Sequence, residues 1–262
     1  MSPGIESALR DFLATDEDPV EGALIVARIL DADADVDWAR AEVASIADRV
    51  AQVDRHGPFT PADLVAAVAG EGFKGAGDRY YEVDNSILDR VLRNRRGIPI
   101  SLGVVLIGVA RHLGFDAQGV NFPRHFLVTI DDLLVDPYAV APTTLENCRK
   151  WLADNNVSEQ GAFDLTRPKD VVLRMLNNAR ILIQNRGDFV RALDISDYQL
   201  LVVPDYYGLY VERADAWLGL NAPEMVVEEL EKAAERAPDE KTAERLRERI
   251  AQAKRLGGSD VN

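Results

Sequence analysis

One cysteine in 262 residues, Cys148, leaves no partner for an intramolecular disulfide and no basis for a thiolate metal cage. The histidines number three, His56, His112 and His125, and are too widely spaced for a helical zinc motif. No metal and no cofactor are therefore expected. Long apolar runs are also missing. The longest, Ile98 to Ala110, carries Pro99 and Ser101 and is too short to span a bilayer. The opening residues, Met1-Ser2-Pro3-Gly4-Ile5-Glu6, lack a basic start followed by an apolar core, which predicts no signal peptide and a cytoplasmic protein. Positive charge is scarce too: 30 Lys and Arg against 44 Asp and Glu leave a net charge of −14. Nucleic acid and anionic membranes reward net positive charge, so neither is an expected partner.

What is present suits a globular fold of one large or two modest domains, with 47% hydrophobic and 28% charged residues. Residues 1–72 read as helices. Ile5, Ala8, Leu9, Phe12 and Leu13 recur at helical spacing, as do Ala23, Leu24, Ala27 and Leu30 after Pro19. A third helix is predicted from Asp37 to Asp54, stopped by His56-Gly57-Pro58. A fourth opens at Thr60-Pro61, a cap followed by a first-turn proline. The tract Asp31 to Asp37, four acids in seven residues, lacks calcium-loop spacing and reads as a solvated linker.

Residues 73–165 change character. An amphipathic helix through Ile87, Leu88, Val91 and Leu92 precedes a helix from Ser101 to about Leu113, apolar on nearly every face and therefore buried all round. Gly114 suits its C-terminal cap. Short alternating segments follow at Gln118–Phe122, His125–Ile130 and Leu133–Asp136, with Asp131-Asp132 as a hairpin turn. A two-residue turn pairs position 127 with 136. His125, Leu127 and Asp136 then share one face.

Residues 166–262 return to helices and repeat. Pro204-Asp205 and Pro238-Asp239 lie 34 residues apart, and Gly187/Asn221, Ala192/Val226 and Leu193/Val227 keep that offset. A 34-residue helical hairpin is the tetratricopeptide period. Two units over about 171–238, capped by a polar helix from Glu240 to about Arg255, make a short array that leans on the preceding domain.

Ser101, His125 and Asp136 occur in the order nucleophile, base, orienting carboxylate. A hydroxyl attacks only once an imidazole takes its proton, and a carboxylate fixes that imidazole's tautomer. Ser101 would also sit at a helix N-terminus, where free N–H groups can hold an oxyanion. Each residue has a plainer reading: Ser101 as N-cap, His125 bonded to a backbone carbonyl, Asp136 as a turn former before Pro137. Arg90, Arg93, Arg95 and Arg96 form a basic stretch that could hold an anion, but a helix C-terminus tied to nearby acids is the preferred reading. Tyr80-Tyr81 and Tyr206-Tyr207 are assigned to core packing rather than a peptide groove.

The segments Asp84-Asn85-Ser86-Ile87-Leu88-Asp89, Arg96-Gly97-Ile98-Pro99-Ile100-Ser101-Leu102 and Gly119-Val120-Asn121-Phe122-Pro123-Arg124-His125-Phe126-Leu127-Val128 resemble the transglutaminase-like core of a bacterial family. Its members join that core to tetratricopeptide repeats, and some are termed invasion-regulator-like. The resemblance spans about residues 40–256. It implies an α+β, mostly helical fold: a papain-like core with a small antiparallel sheet, then a short helical array. It also implies a Cys–His–Asp triad, with Ser101 in the cysteine's place, His125 in the histidine's and Asp136 in the aspartate's. Cys148 comes after the aspartate and does not fit the nucleophile's slot in that order. A serine hydroxyl is far less acidic than a thiol, so thiolate–imidazolium activation is lost. The expected function is a protein- or peptide-binding scaffold on an inactive core, its partner held by groove and repeats. The alternative is a hydrolase or acyltransferase acting on an amide or ester, with Ser101 attacking, His125 as base and Asp136 orienting.

Overall fold

Proline starts six of the helices, where its fixed φ is already helical and its missing N–H is not needed. The computed structural model describes residues 1–53 and 57–257. In chain order it contains α1 (Pro3–Thr15), α2 (Pro19–Leu30), α3 (Val36–Ala51), α4 (Pro61–Gly70), β1 (Lys74–Gly75), α5 (Leu88–Asn94), β2 (Arg96–Gly97) and α6 (Pro99–His112). Then follow β3 (Ala117–Val120), β4 (Leu127–Ile130), β5 (Leu133–Asp136), β6 (Ala141–Pro142), α7 (Leu145–Asp154) and β7 (Leu165–Thr166). The chain closes with α8 (Pro168–Asn185), α9 (Phe189–Val202), α10 (Tyr207–Gly219), α11 (Pro223–Glu235) and α12 (Glu240–Gly257). The fold is α+β and mostly helical. The expected end of the third helix at Asp54, and the His56 stop, lie outside the described residues.

The chain divides into two compact units, Ser7–Met175 and Leu176–Asn262 with Met1–Glu6. The first holds a five-stranded antiparallel sheet of order β6-β5-β4-β3-β7 and a small parallel pair, β1-β2. Helix α6 is buried along almost its whole length, as its all-round apolar sequence requires, and packs on α2, α3 and α4 as well as on β3 and β4. The N-terminal helices and the sheet therefore share one core through α6, and no boundary between contact units falls near residue 72.

Phe126, fully buried, explains the close approach of α6 to the sheet. A Cβ added at Gly103 of α6 would meet its ring at 2.7 Å, and one at Gly119 of β3 would meet it at 2.5 Å. Only glycine leaves room on both sides. Since Phe126 and Val128 face α6, Leu127 faces the other way. There it joins Val120, Phe122, Cys148, Leu152 and Ala162 in a second core beneath α7.

The second unit stacks helices in succession, α9 on α10, α10 on α11 and α11 on α12. The 34-residue offset recurs in the backbone: Gly187 and Asn221 both take positive φ, 84° and 55°. Ala192 and Val226 are both buried. Buried arginines tie these helices together, Arg180 to Glu212 at 2.5 Å and Arg213 to both Glu229 and Asp197.

Two local expectations need correction. The acidic tract is no solvated linker: Asp31 binds Arg90 at 2.6 Å, Asp35 binds Arg93, and Asp35 also caps α3 by accepting from the Trp38 amide. Its partners lie more than fifty residues away, beyond any local reading. Those same bonds, with Arg95 to Glu42 at 2.7 Å, use the basic stretch as counter-charge. Tyr81 and Tyr206 are not core residues but stand exposed, at 73% and 55%.

Candidate functional site

The hairpin pairs Val128 with Val135 and Ile130 with Leu133, so Leu127 stands opposite Asp136. A two-residue turn at Asp131-Asp132 produces that register, with Asp131 at φ 48°. Two residues upstream, a tight turn at Pro123-Arg124, with Arg124 at φ 59° and the His125 amide bonded to the Phe122 carbonyl, presents His125. Its Nε2 lies 2.9 Å from Asp136 Oδ1. The same oxygen accepts from the Tyr138 amide at 2.9 Å and the Ala139 amide at 3.3 Å. Burial pushes the Asp136 carboxyl up, but the imidazole bond, its charge and the two amides outweigh that and hold it below the ordinary value.

Both side chains line an open cavity of about 330 Å³ together with Phe122, Arg124, Leu127, Thr143, Asn147, Cys148 and Trp151. Aromatic rings form one wall: Phe122 lies 5.5 Å from Trp151, 5.8 Å from Phe163 and 6.5 Å edge-on from His125. Helix α7 supplies Asn147, Cys148 and Trp151 to the lining. Thr144 caps it by accepting from the Asn147 amide, which starts the helix so that Cys148, Trp151 and Leu152 point inward. Burial pushes the Cys148 thiol up; a hydrogen bond with Thr143 pulls it back, and the Asp136 charge adds to the rise. The thiol is therefore held in its protonated form.

Ser101 is elsewhere. Pro99 takes the first helical position and Ile98 the cap, so Ser101 falls in the first turn rather than at the N-cap. Its Oγ accepts from the Ile98 amide and donates to the Ile98 carbonyl, both at 3.1 Å. It is 0% exposed, and a Cβ on Gly97 would meet that oxygen at 2.6 Å. Ser101 does not line the cavity. The structure thus brings His125 and Asp136 together and encloses Ser101 in its own helix start.

Sequence reasoning missed the α7 side of the cavity. The signal was Thr144 followed by an apolar stripe at 148, 151 and 152, and chain order set Cys148 aside as out of place. Among the described residues, no group of three His, Cys, Asp or Glu side chains could hold a metal ion.

The sequence is similar to those of other proteins. It is 33% identical over 162 residues to a UPF0162 protein of Xylella fastidiosa, which covers 57% of this chain and 58% of that protein. It is 24% identical over 249 residues to a UPF0162 protein of Vibrio cholerae, covering 88% and 90%. F-box only protein 21 of Mus musculus is 29% identical over 165 residues, 57% of this chain and 26% of that longer protein. The chain therefore spans little more than half the length of the Xylella relative. No solved structure matches. The sequence model described as the transglutaminase-like superfamily matches residues 37–177, from α3 through the whole sheet into α8. A match over more than half the chain, covering α6, the hairpin and both site residues, makes this protein a member of the transglutaminase-like superfamily.

Proposed function

We propose that the protein is a binding scaffold: a transglutaminase-like core that seats a peptide or small ligand in the His125–Asp136 cavity without cleaving it. The observation that carries this is Ser101, whose hydroxyl is fully buried and committed to the Ile98 backbone while the imidazole and carboxylate line an open pocket on the α7 side. A nucleophile must reach a substrate carbonyl and give its proton to a base, and a fully buried hydroxyl that donates to the Ile98 carbonyl does neither. The cavity's size falls in the range of ligand sites, and its aromatic wall with a few polar groups suits recognition. Ser101 stands, in this reading, where the family's cysteine would be.

The helices after α8 extend the same reading. The 34-residue offset, the paired positive-φ turns and the stacking order support a tetratricopeptide array, which would present a second surface to a protein partner. The charge of −14 argues for a partner that is neither nucleic acid nor an anionic membrane. Among the described residues no helix is long and apolar enough to cross a membrane.

The test is labelling with a fluorophosphonate, which reacts only with activated serine hydroxyls. Folded protein is expected to remain unlabelled at Ser101 across neutral and alkaline pH. Labelling at Ser101 that His125→Ala abolishes would overturn the scaffold in favour of the serine hydrolase or acyltransferase.

A further inference from the structure

Among the described residues, arginines with buried or half-buried side chains mostly have carboxylate partners, Arg96 and Arg174 excepted. Arg49 has Glu42 and Glu71, Arg95 has Glu42, Arg180 has Glu212, and Arg213 has Glu229 and Asp197. Arg111 bonds only carbonyls, but it is exposed and water can neutralise it. Arg174 differs from both groups. It projects from the first turns of α8, half-buried, and its two terminal nitrogens donate to neutral acceptors: the His125 carbonyl at 2.6 Å and the Asn121 Oδ1 at 3.2 Å. Its guanidinium carbon lies 5.3 Å from the centroid of the Phe126 ring. No described carboxylate lies in ion-pair range.

A buried cation without a counter-charge is costly, because neutral acceptors repay only part of the lost hydration. The cost is visible in its proton affinity: burial pulls Arg174 below its ordinary value, and Tyr80 alone opposes that. Tyr80 in turn stands edge-on to Tyr138 at 5.8 Å, its hydroxyl pushed up first by burial and then by its tyrosine neighbours. Guanidinium has five N–H donors, and the two bonds named leave others over. None of its nitrogens is sealed in the core without a partner, so the spare donors face outward.

We propose that Arg174 anchors a carboxylate-binding site, with Asn121 and the His125 carbonyl holding the guanidinium in place. A carboxylate is the fitting anion for one planar cation with a free edge. This site is independent of the cavity, since it uses the carbonyl of His125 and not the imidazole.

The experiment follows the Arg174 Nε–Hε resonance of the full chain by NMR while propanoate is added, with chloride at matched ionic strength as the control. A saturable shift with propanoate and none with chloride is expected. Arg174→Met should abolish propanoate binding as read by other resonances around Tyr80 and Tyr138. The proposal is overturned by a non-saturating shift in the wild-type chain, or by inorganic phosphate binding where propanoate does not. Because the wild-type titration decides by itself, a poorly folded Arg174→Met variant does not shield the proposal.

Discussion

A single oxygen, Asp136 Oδ1, receives the imidazole and two backbone amides, and that convergence holds the His125 ring at the cavity. Because the folded carboxyl titrates below its ordinary value, its contribution to stability is complete above the unfolded carboxylate pKa and fades as pH falls through the folded one. Replacing His125 by Ala leaves the amides and removes the imidazole. The Asp136 carboxyl should then titrate at higher pH, as read by its side-chain carbon resonance; an unmoved midpoint would contradict the assigned cause. Ser101→Ala should cost about 1–2 kcal/mol in urea unfolding, because the Ile98 amide loses its buried acceptor. It should leave ligand binding at the cavity unchanged. The two-residue turn that sets Leu127 opposite Asp136 was legible in the sequence, but His125 lies before β4 rather than in it, and the turn at Pro123-Arg124 that brings it to Asp136 was not. Nor was the enclosure of Ser101. A capping serine, a first-turn serine and an attacking serine look alike before Pro99 is placed at the first helical position.

Among elements, α6 was the most legible and α7 the least. An apolar side chain at nearly every position of α6 admits only a helix buried on all sides. Helix α7 is mostly polar and turns inward only Cys148, Leu152 and part of Trp151. Strands β6 and β7 have two residues each, too few to show any alternation. What fixes α6 against the sheet is a contact between residues far apart in sequence, the Phe126 ring held between Gly103 and Gly119. Gly103→Ala should destabilise the protein by about 1–3 kcal/mol, the usual cost of overpacking a filled core. Thermal unfolding of this variant checks it. A neutral result would mean that α6 can back away from the sheet, and the cavity on the far side should then be unaffected as well.

The net charge of the whole molecule conceals a pattern of internal repayment: arginines from one segment meet acids from another, as Glu42 does between Arg49 and Arg95. Composition revealed the excess of acids but not which of them are committed, because pairing over fifty residues is a property of the fold. Burial pushes the Glu42 carboxyl up, but bonds from Arg95 and Arg49, with their charges, bring it below its ordinary value. Its stabilisation is therefore intact above the unfolded glutamate pKa and lost as acid reaches the folded one. Glu42→Gln should flatten the acid limb of the stability profile and lower stability near neutral pH, measured by urea unfolding at a series of pH values. An acid limb identical to wild type would place that sensitivity on other carboxylates. The 34-residue spacing visible in the sequence recurs as positive φ at Gly187 and Asn221, whereas the division of the chain was not legible. Sequence composition changes near residue 73, yet the helices before it are built into the same core as the sheet.

Cys148 is the sole thiol of the chain and faces the His125–Asp136 cavity while nearly closed off from water. Any spin label or fluorophore that is thiol-directed must therefore attach at that one spot, without prior removal of competing sulfurs. Its rate of attachment measures how often α7 lifts from the sheet, and a guest in the cavity should slow the reaction before anything is known of the guest's identity.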